Sequence, residues 1–148
     1  MELCIKHYNE LTLDELYDII KLRIEVFVVE QNCPYRDLDD KDKNAYHVFL
    51  RDSNKLLAYV RVLDKHVSFE EASIGRVISG KRRCGYGTRV LAAGIKTAEK
   101  RFGADVIKIA AQTYAEEFYK KSGFRRVSEE FLEDGIPHIL MIYKKDMF

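Results

Sequence analysis

The segment from Ala72 to Gly94, ASIGRVISGKRRCGYGTRVLAAG, constrains the fold of this chain more than any other stretch. Residues Ile74 to Ile78 are largely β-branched or apolar and read as a strand. Gly87, Val90, Leu91, Gly94, Ile95 and Ala98 recur at helical spacing and draw one apolar stripe. Between the two, Arg82-Arg83-Cys84-Gly85-Tyr86-Gly87 removes side chains where the helix begins. Unpaired backbone N–H groups and the positive dipole end are therefore exposed together. Such an end binds phosphate, and Arg82 and Arg83 add charge-assisted donors that favour a pyrophosphate over a lone carboxylate. Spacing excludes the nucleoside-triphosphate loop, which needs Gly-Lys-Ser/Thr. It also excludes the dinucleotide fingerprint, which needs a third glycine where Val90 stands.

The 148 residues are read as one domain, 1–148, large enough for a real core. Lys plus Arg number 25 against 24 Asp plus Glu, so there is no basic field to collect nucleic acid or an anionic membrane. No apolar run approaches the roughly 20 residues of a membrane span, and the N-terminus lacks a signal-peptide pattern. The expectation is a cytoplasmic protein. Cys4, Cys33 and Cys84 are odd in number and widely spaced, which argues against a disulfide framework and a zinc site. No metal is expected.

Leu3 to Lys6 suits a first strand, and Thr12-x-x-Glu15 is a capping box that starts a helix. Leu13, Leu16, Tyr17, Ile20, Ile24, Phe27 and Val28 carry its apolar stripe to about Glu30. From Ile24 onward apolar residues surround the helix, which predicts that the following loop buries its second half. That loop, Gln31 to Asn44, holds the acidic run Asp37-Leu38-Asp39-Asp40-Lys41-Asp42. Lys41 stands where a calcium loop needs an oxygen ligand. The run is then a solvated loop or an acidic rim for a cationic amine. Strands follow at Ala45 to Arg51 and Lys55 to Leu63, and the central helix closes near Phe102. Val106 to Ala111 reads as a buried strand and Glu116 to Ser122 as a short helix. Phe124 to Phe131 is expected to pair with His138 to Tyr143 across an Asp134-Gly135 turn.

Arg82-x-x-Gly85-x-Gly87, between a strand and a helix, resembles the acetyl-coenzyme A loop of the GNAT superfamily of N-acetyltransferases. Ala115-x-x-x-Tyr119-x-x-x-Gly123-Phe124 resembles the family's other signature. The tracts Leu22 to Tyr35, Asp37 to Asp39, Ile74 to Val77 and Glu133 to His138 look like the ElaA-like branch. The resemblance runs from the first helix to the last strand. It implies an α/β (α+β) fold with a mixed, twisted sheet of about six or seven strands and about four helices. The two central parallel strands would splay apart.

The same resemblance implies acetyl-coenzyme A as co-substrate, its pantetheine lying along Val77 and Ile78. Its pyrophosphate would sit on Arg82, Arg83, Gly85, Tyr86, Gly87 and Thr88. Gln112 stands where the family often has Asn, and Ala115, Phe118 and Tyr119 complete the cofactor side. An amine of a small molecule or protein would attack the thioester directly, with Tyr119 as acid for the departing thiolate. For the base the candidates are Glu30, His47, His138 and a water relay. Arg76, His47, Asp37 and Asp39 are candidates for the acceptor side, Arg76 either binding an acceptor carboxylate or pairing with a neighbouring acid. A monomer or a homodimer is compatible with the sequence. Two further readings remain open: a catalytically silent acyl-coenzyme A sensor, and a phosphate-binding α/β domain for some nucleotide.

Overall fold

The computed structural model describes residues 1–80 and 84–145. Strands β1 (Glu2–His7), β2 (Tyr46–Asp52), β3 (Lys55–Leu63) and β4 (Ser73–Ile78) form one antiparallel sheet in that order. A second antiparallel sheet is built from β5 (Val106–Gln112), β6 (Arg125–Arg126), β7 (Phe131–Glu133) and β8 (Ile136–Lys144), with β8 between β5 and the two short strands. Three α-helices are described, α1 (Leu13–Ile24), α2 (Tyr86–Phe102) and α3 (Glu116–Lys121). The expected single mixed sheet is thus two sheets touching at a seam. The strand expected from Phe124 to Phe131 is interrupted, because only Arg125–Arg126 and Phe131–Glu133 keep register with β8. The Asp134-Gly135 turn forms as expected, both residues holding positive φ, 52° and 76°.

Strand alternation in the first sheet separates two cores. Val48, Leu50, Val60, Val62 and Ile74 face α2 and join Val90, Leu91, Ile95 and Ala98 with the second sheet's Ile107, Ile109, Ile139 and Met141. Phe49 and Tyr59 face the other way and pack with Ile19 of α1. His47 and Arg61 share the odd-numbered positions of Phe49 and Tyr59, and all four are buried.

Helix α1 begins at the expected capping box: Thr12 Oγ1 accepts from Glu15 N at 3.0 Å, and Glu15 Oε1 accepts from Thr12 N at 2.9 Å. Its buried face is not the apolar stripe read from the sequence. Glu15, Ile19 and Arg23 are the buried residues, whereas Leu13 and Tyr17 are largely exposed. Polar Glu15 and Arg23 can point inward because Lys6 and Arg51 meet the first, and Asp37 and Asp42 meet the second. Beyond Ile24 the helix widens into a π-helical segment, Glu25–Glu30, with Cys33 N donating to Val28 O at 3.1 Å. None of its six residues is buried, so the following loop does not cover it all round as expected.

Candidate active site

The two sheets meet where Lys108 N donates to Ala72 O at 2.9 Å, beside the parallel bridge Ala72–Ile107. Beyond that bridge, among the described residues, β4 pairs only with β3 and β5 only with β8. The facing edges of the two parallel strands therefore separate toward their C-terminal ends. Strand β4 also carries a bulge, its register shifting by one residue between the pairs Arg61–Gly75 and Tyr59–Ile78. Arg76, inside that bulge, has φ 51°, in the left-handed region that a non-glycine residue adopts only when its surroundings hold it there. Val77 and Ile78 follow at the opened edge.

At the same open end, α2 starts on Gly85, which has φ 72° and provides no side-chain cap. Its first turn closes with Arg89 N donating to Gly85 O at 3.1 Å. The N–H groups of Tyr86, Gly87 and Thr88 are left without partners among the described residues. Among the described residues, a Cβ on Gly85 would meet nothing within 4 Å. Gly87 differs: its Cβ would lie 2.6 Å from Ser79 Cβ and 3.2 Å from Phe118 Cε1. Gly87 thus lets the helix start press against the end of β4 and against α3. Arg82 and Arg83 lie outside the described residues.

Strand β5 ends at Gln112, and a short 3₁₀ turn, Thr113–Ala115, leads into α3 with Phe118 and Tyr119. Tyr119 is 8% exposed and makes edge contacts with Phe118 and Phe124, ring centroids 5.1 and 5.8 Å apart. Burial pushes its phenol above the usual range, with a smaller contribution from Tyr114. Val77, Ile78, the Gly85–Thr88 helix start, Gln112, Ala115, Phe118 and Tyr119 therefore all stand at the end where the two strands diverge.

Gln112 and Gln31 form a reciprocal amide pair, 3.3 Å each way. Across the ladder Gln112 faces His138. His138 is buried, stacks on Phe131, and places Nδ1 2.7 Å from the Ile136 carbonyl oxygen. A carbonyl only accepts, so Nδ1 is the protonated nitrogen and Nε2 carries the lone pair. Glu133 Oε2 lies 3.7 Å from that Nε2. Glu133, part of a tract that carried the resemblance, was not among the site residues expected from sequence; the two-residue turn of the β7–β8 hairpin, which sets Glu133 against Ile136, was the available signal. Glu30 is exposed, immediately before Gln31.

The acidic loop is neither a solvated loop nor an unpaired acidic rim. Asp37 and Asp42 are buried, and with Asp39 they compensate Arg23, Arg61 and Arg76. Tyr35 donates its hydroxyl to Asp37 Oδ1 at 2.7 Å, and its ring lies under the Arg76 guanidinium. Burial alone would raise the Asp39 carboxyl, but its bonds to Arg61 and the Arg76 charge hold it down to about 2. Arg76 is thus spent on neighbouring acids, and Asp37 and Asp39 have no uncompensated charge to offer a cation. His47 is fully buried between Tyr59 hydroxyl, 2.6 Å from Nδ1, and the Asp42 carbonyl, 3.1 Å from Nε2. Burial lowers its pKa, with Arg23 and Arg61 acting in the same direction against Asp42. It is a neutral structural histidine under α1, away from any surface where an acceptor could meet it.

A family model described as an acetyltransferase (GNAT) domain matches residues 9–145. The chain belongs to the GNAT acetyltransferase family. Protein ElaA of Escherichia coli K12 is 37% identical over 139 residues, covering 91% of each chain. The crystal structure of E. coli ElaA superposes with a TM-score of 0.89 at 35% identity, covering 97% of this chain and 99% of that one. A Pseudomonas aeruginosa acyl-CoA N-acyltransferase structure matches at TM-score 0.88 and 37% identity, with the same coverage. Among the described residues of this GNAT domain no helix is long and apolar enough to cross a membrane.

Proposed function

We propose that this GNAT protein moves an acetyl group from acetyl-coenzyme A to a primary amine, of a small molecule or a protein, by direct attack of the amine on the thioester. The observation that carries the reading is the coincidence, at one end of the fold, of two unpaired strand edges, an uncapped helix start and a buried tyrosine. Pantetheine amides have hydrogen-bond partners to gain at Val77 and Ile78, and a pyrophosphate at the N–H groups of Gly85 to Thr88. Gln112, Ala115 and Phe118 line the opposite wall. Acetyl-coenzyme A supplies the activated acyl group; the protein positions it and moves protons.

An alkylammonium has no lone pair, so its proton must leave before attack. We assign that proton to Nε2 of His138, whose tautomer the Ile136 carbonyl sets and beside which Glu133 Oε2 lies at 3.7 Å. Glu30, exposed beside Gln31, has no comparable orienting partner among the described residues. Tyr119 stays protonated through neutral pH and donates to the departing thiolate. Because the three aspartates near Arg76 are charge-compensated, acceptor preference rests on shape and on Gln31, Glu133 and His138.

The closed Gln31–Gln112 pair favours a second reading, a binding module whose Gln112 amide is unavailable to the cofactor. Thiol release from acetyl-coenzyme A with a panel of primary amines tests the proposal. Amine-dependent thiol release supports transfer. Calorimetric binding of acetyl-coenzyme A with no release for any amine overturns it in favour of the module.

A further inference from the structure

Helix α1 buries the face of Glu15, Ile19 and Arg23 in the fold and leaves its apolar stripe largely in solvent. Leu13 is 86% exposed, Tyr17 70% and Ile24 38%, with Ile20 half-buried between them. At i, i+4, i+7 and i+11 these four side chains share an arc of about 60° on the helix surface. The buried residues Glu15, Ile19 and Arg23 point on average about 130° away. A seam about 16 Å long with heptad-like spacing, opposite the core, is the pattern of a helix that packs against a second helix.

We infer that the Leu13-Tyr17-Ile20-Ile24 face of α1 is a self-pairing surface, on which two copies of this chain dock α1 against α1 in antiparallel orientation about a two-fold axis. The charges beside the seam decide both occupant and direction. Asp14, Asp18, Lys21 and Glu25 lie along one flank, all exposed and none with an ion-pair partner among the described residues. With the axis midway between Leu13 and Ile24, Leu13 meets the partner's Ile24 and Tyr17 meets the partner's Ile20. Lys21 then falls between the partner's Asp14 and the partner's Asp18. Glu25 arrives beside the partner's Thr12, at the positive end of that helix. A parallel two-fold arrangement would instead turn the two charged flanks to opposite sides of the pair, so that Lys21 would not reach the partner's Asp14 or the partner's Asp18. A three-turn helix pair buries an area at or below the low end of specific interfaces, about 1,200 Å², so micromolar rather than nanomolar association is expected.

Sedimentation velocity on the full chain, from about 1 to 200 µM, reads this directly and does not depend on the acetyltransfer reading. The unmodified protein should self-associate with a Kd in the micromolar range. Leu13→Glu with Tyr17→Glu, both exposed positions, should weaken association at least a hundredfold with the helical circular dichroism unchanged. Lys21→Glu alone, and Asp14→Lys with Asp18→Lys, should each weaken it about tenfold, and an equimolar mixture of those two proteins should recover it. A protein that is monomeric at 200 µM overturns the proposal. So does a dimer indifferent to the Leu13 and Tyr17 changes, or a mixture no better associated than its components.

Discussion

Arg76 Nε lies 3.0 Å from Asp37 Oδ1, so a residue held at positive φ in the β4 bulge is tied to the loop that follows α1. The other carboxylate oxygen of Asp37 is 3.0 Å from Arg23 Nε, and the Asp37 carbonyl accepts from both arginines, at 2.9 and 3.0 Å. One aspartate therefore joins α1, the loop and the opened edge of β4, and the bulge keeps its place because the pair on either side of it does.

Removing Arg23 leaves Asp37 and Asp42 buried with less compensation. Arg23→Met should cost about 3–5 kcal/mol of unfolding free energy, the range for breaking a buried pair. Arg76 is one-fifth exposed and Asp37 keeps Arg23 without it, so Arg76→Met should cost less than half as much. Urea unfolding compares the two, and an Arg76→Met loss equal to that of Arg23→Met would show that the bulge, not α1, depends most on Asp37.

The glycines of the helix start should separate. Gly87→Ala drives a Cβ into Ser79 and Phe118, and overpacking of this kind costs roughly 1–3 kcal/mol. A Cβ on Gly85 meets none of the described residues within 4 Å but the backbone has positive φ, so Gly85→Asn should be tolerated to within about 1 kcal/mol. Thermal melts should rank Gly87→Ala well below Gly85→Asn. Loss of acetyl-coenzyme A binding therefore probes the loop cleanly only at Gly85; equal melting temperatures would refute the packing role of Gly87.

Acid should destabilise the fold in two stages. His47 has a lowered folded pKa, so the unfolded chain binds a proton first as pH falls below about 6.5, and stability declines from there downward. Asp39, held to about 2, and Asp42, also lowered, contribute stability that is complete above about pH 4 and lost as pH falls through their folded values. For Asp39 the loss is on the order of 2 kcal/mol. His47→Gln should remove the first stage and leave the second, which urea midpoints measured from pH 8 to 3 will show.

The strand Ser73–Ile78 and the helix Tyr86–Phe102 with its glycine start at Gly85 were legible because their spacing encodes backbone needs that no distant residue alters. The acidic loop was not legible, since its partners Arg23, Arg61 and Arg76 lie 14 to 39 residues from the aspartates in sequence. Periodicity likewise located a stripe on α1 without saying whether the core or solvent would meet it; burial of Glu15 and Arg23 depended on cations and anions supplied by β1, β2 and the loop. Tyr119 was placed by its motif at the open end, while His47 was misplaced because a histidine on a half-buried strand looks the same whether its face is open or covered.

Tyr119→Phe is the sharpest test of the proposed chemistry. The ring contacts with Phe118 and Phe124 survive the change, and the hydroxyl has no hydrogen-bond partner among the described residues, so the melting temperature and acetyl-coenzyme A affinity should stay put. What disappears is the donor to the leaving thiolate. General acid catalysis typically contributes about a hundred- to ten-thousand-fold, and kcat should fall by the lower part of that range, because a thiolate leaves tolerably well unaided. kcat and kcat/KM should fall by similar factors, the mark of an interaction made in the transition state alone. Since burial pushes the Tyr119 phenol above its ordinary value, the variant should keep the wild-type alkaline limb of the pH–rate profile up to about pH 10. His138→Gln, by contrast, removes the proposed proton acceptor and should lower kcat. A folded Tyr119→Phe protein with unchanged kcat, in an assay where chemistry limits the rate, would leave Tyr119 as a packing residue and return the acid to solvent.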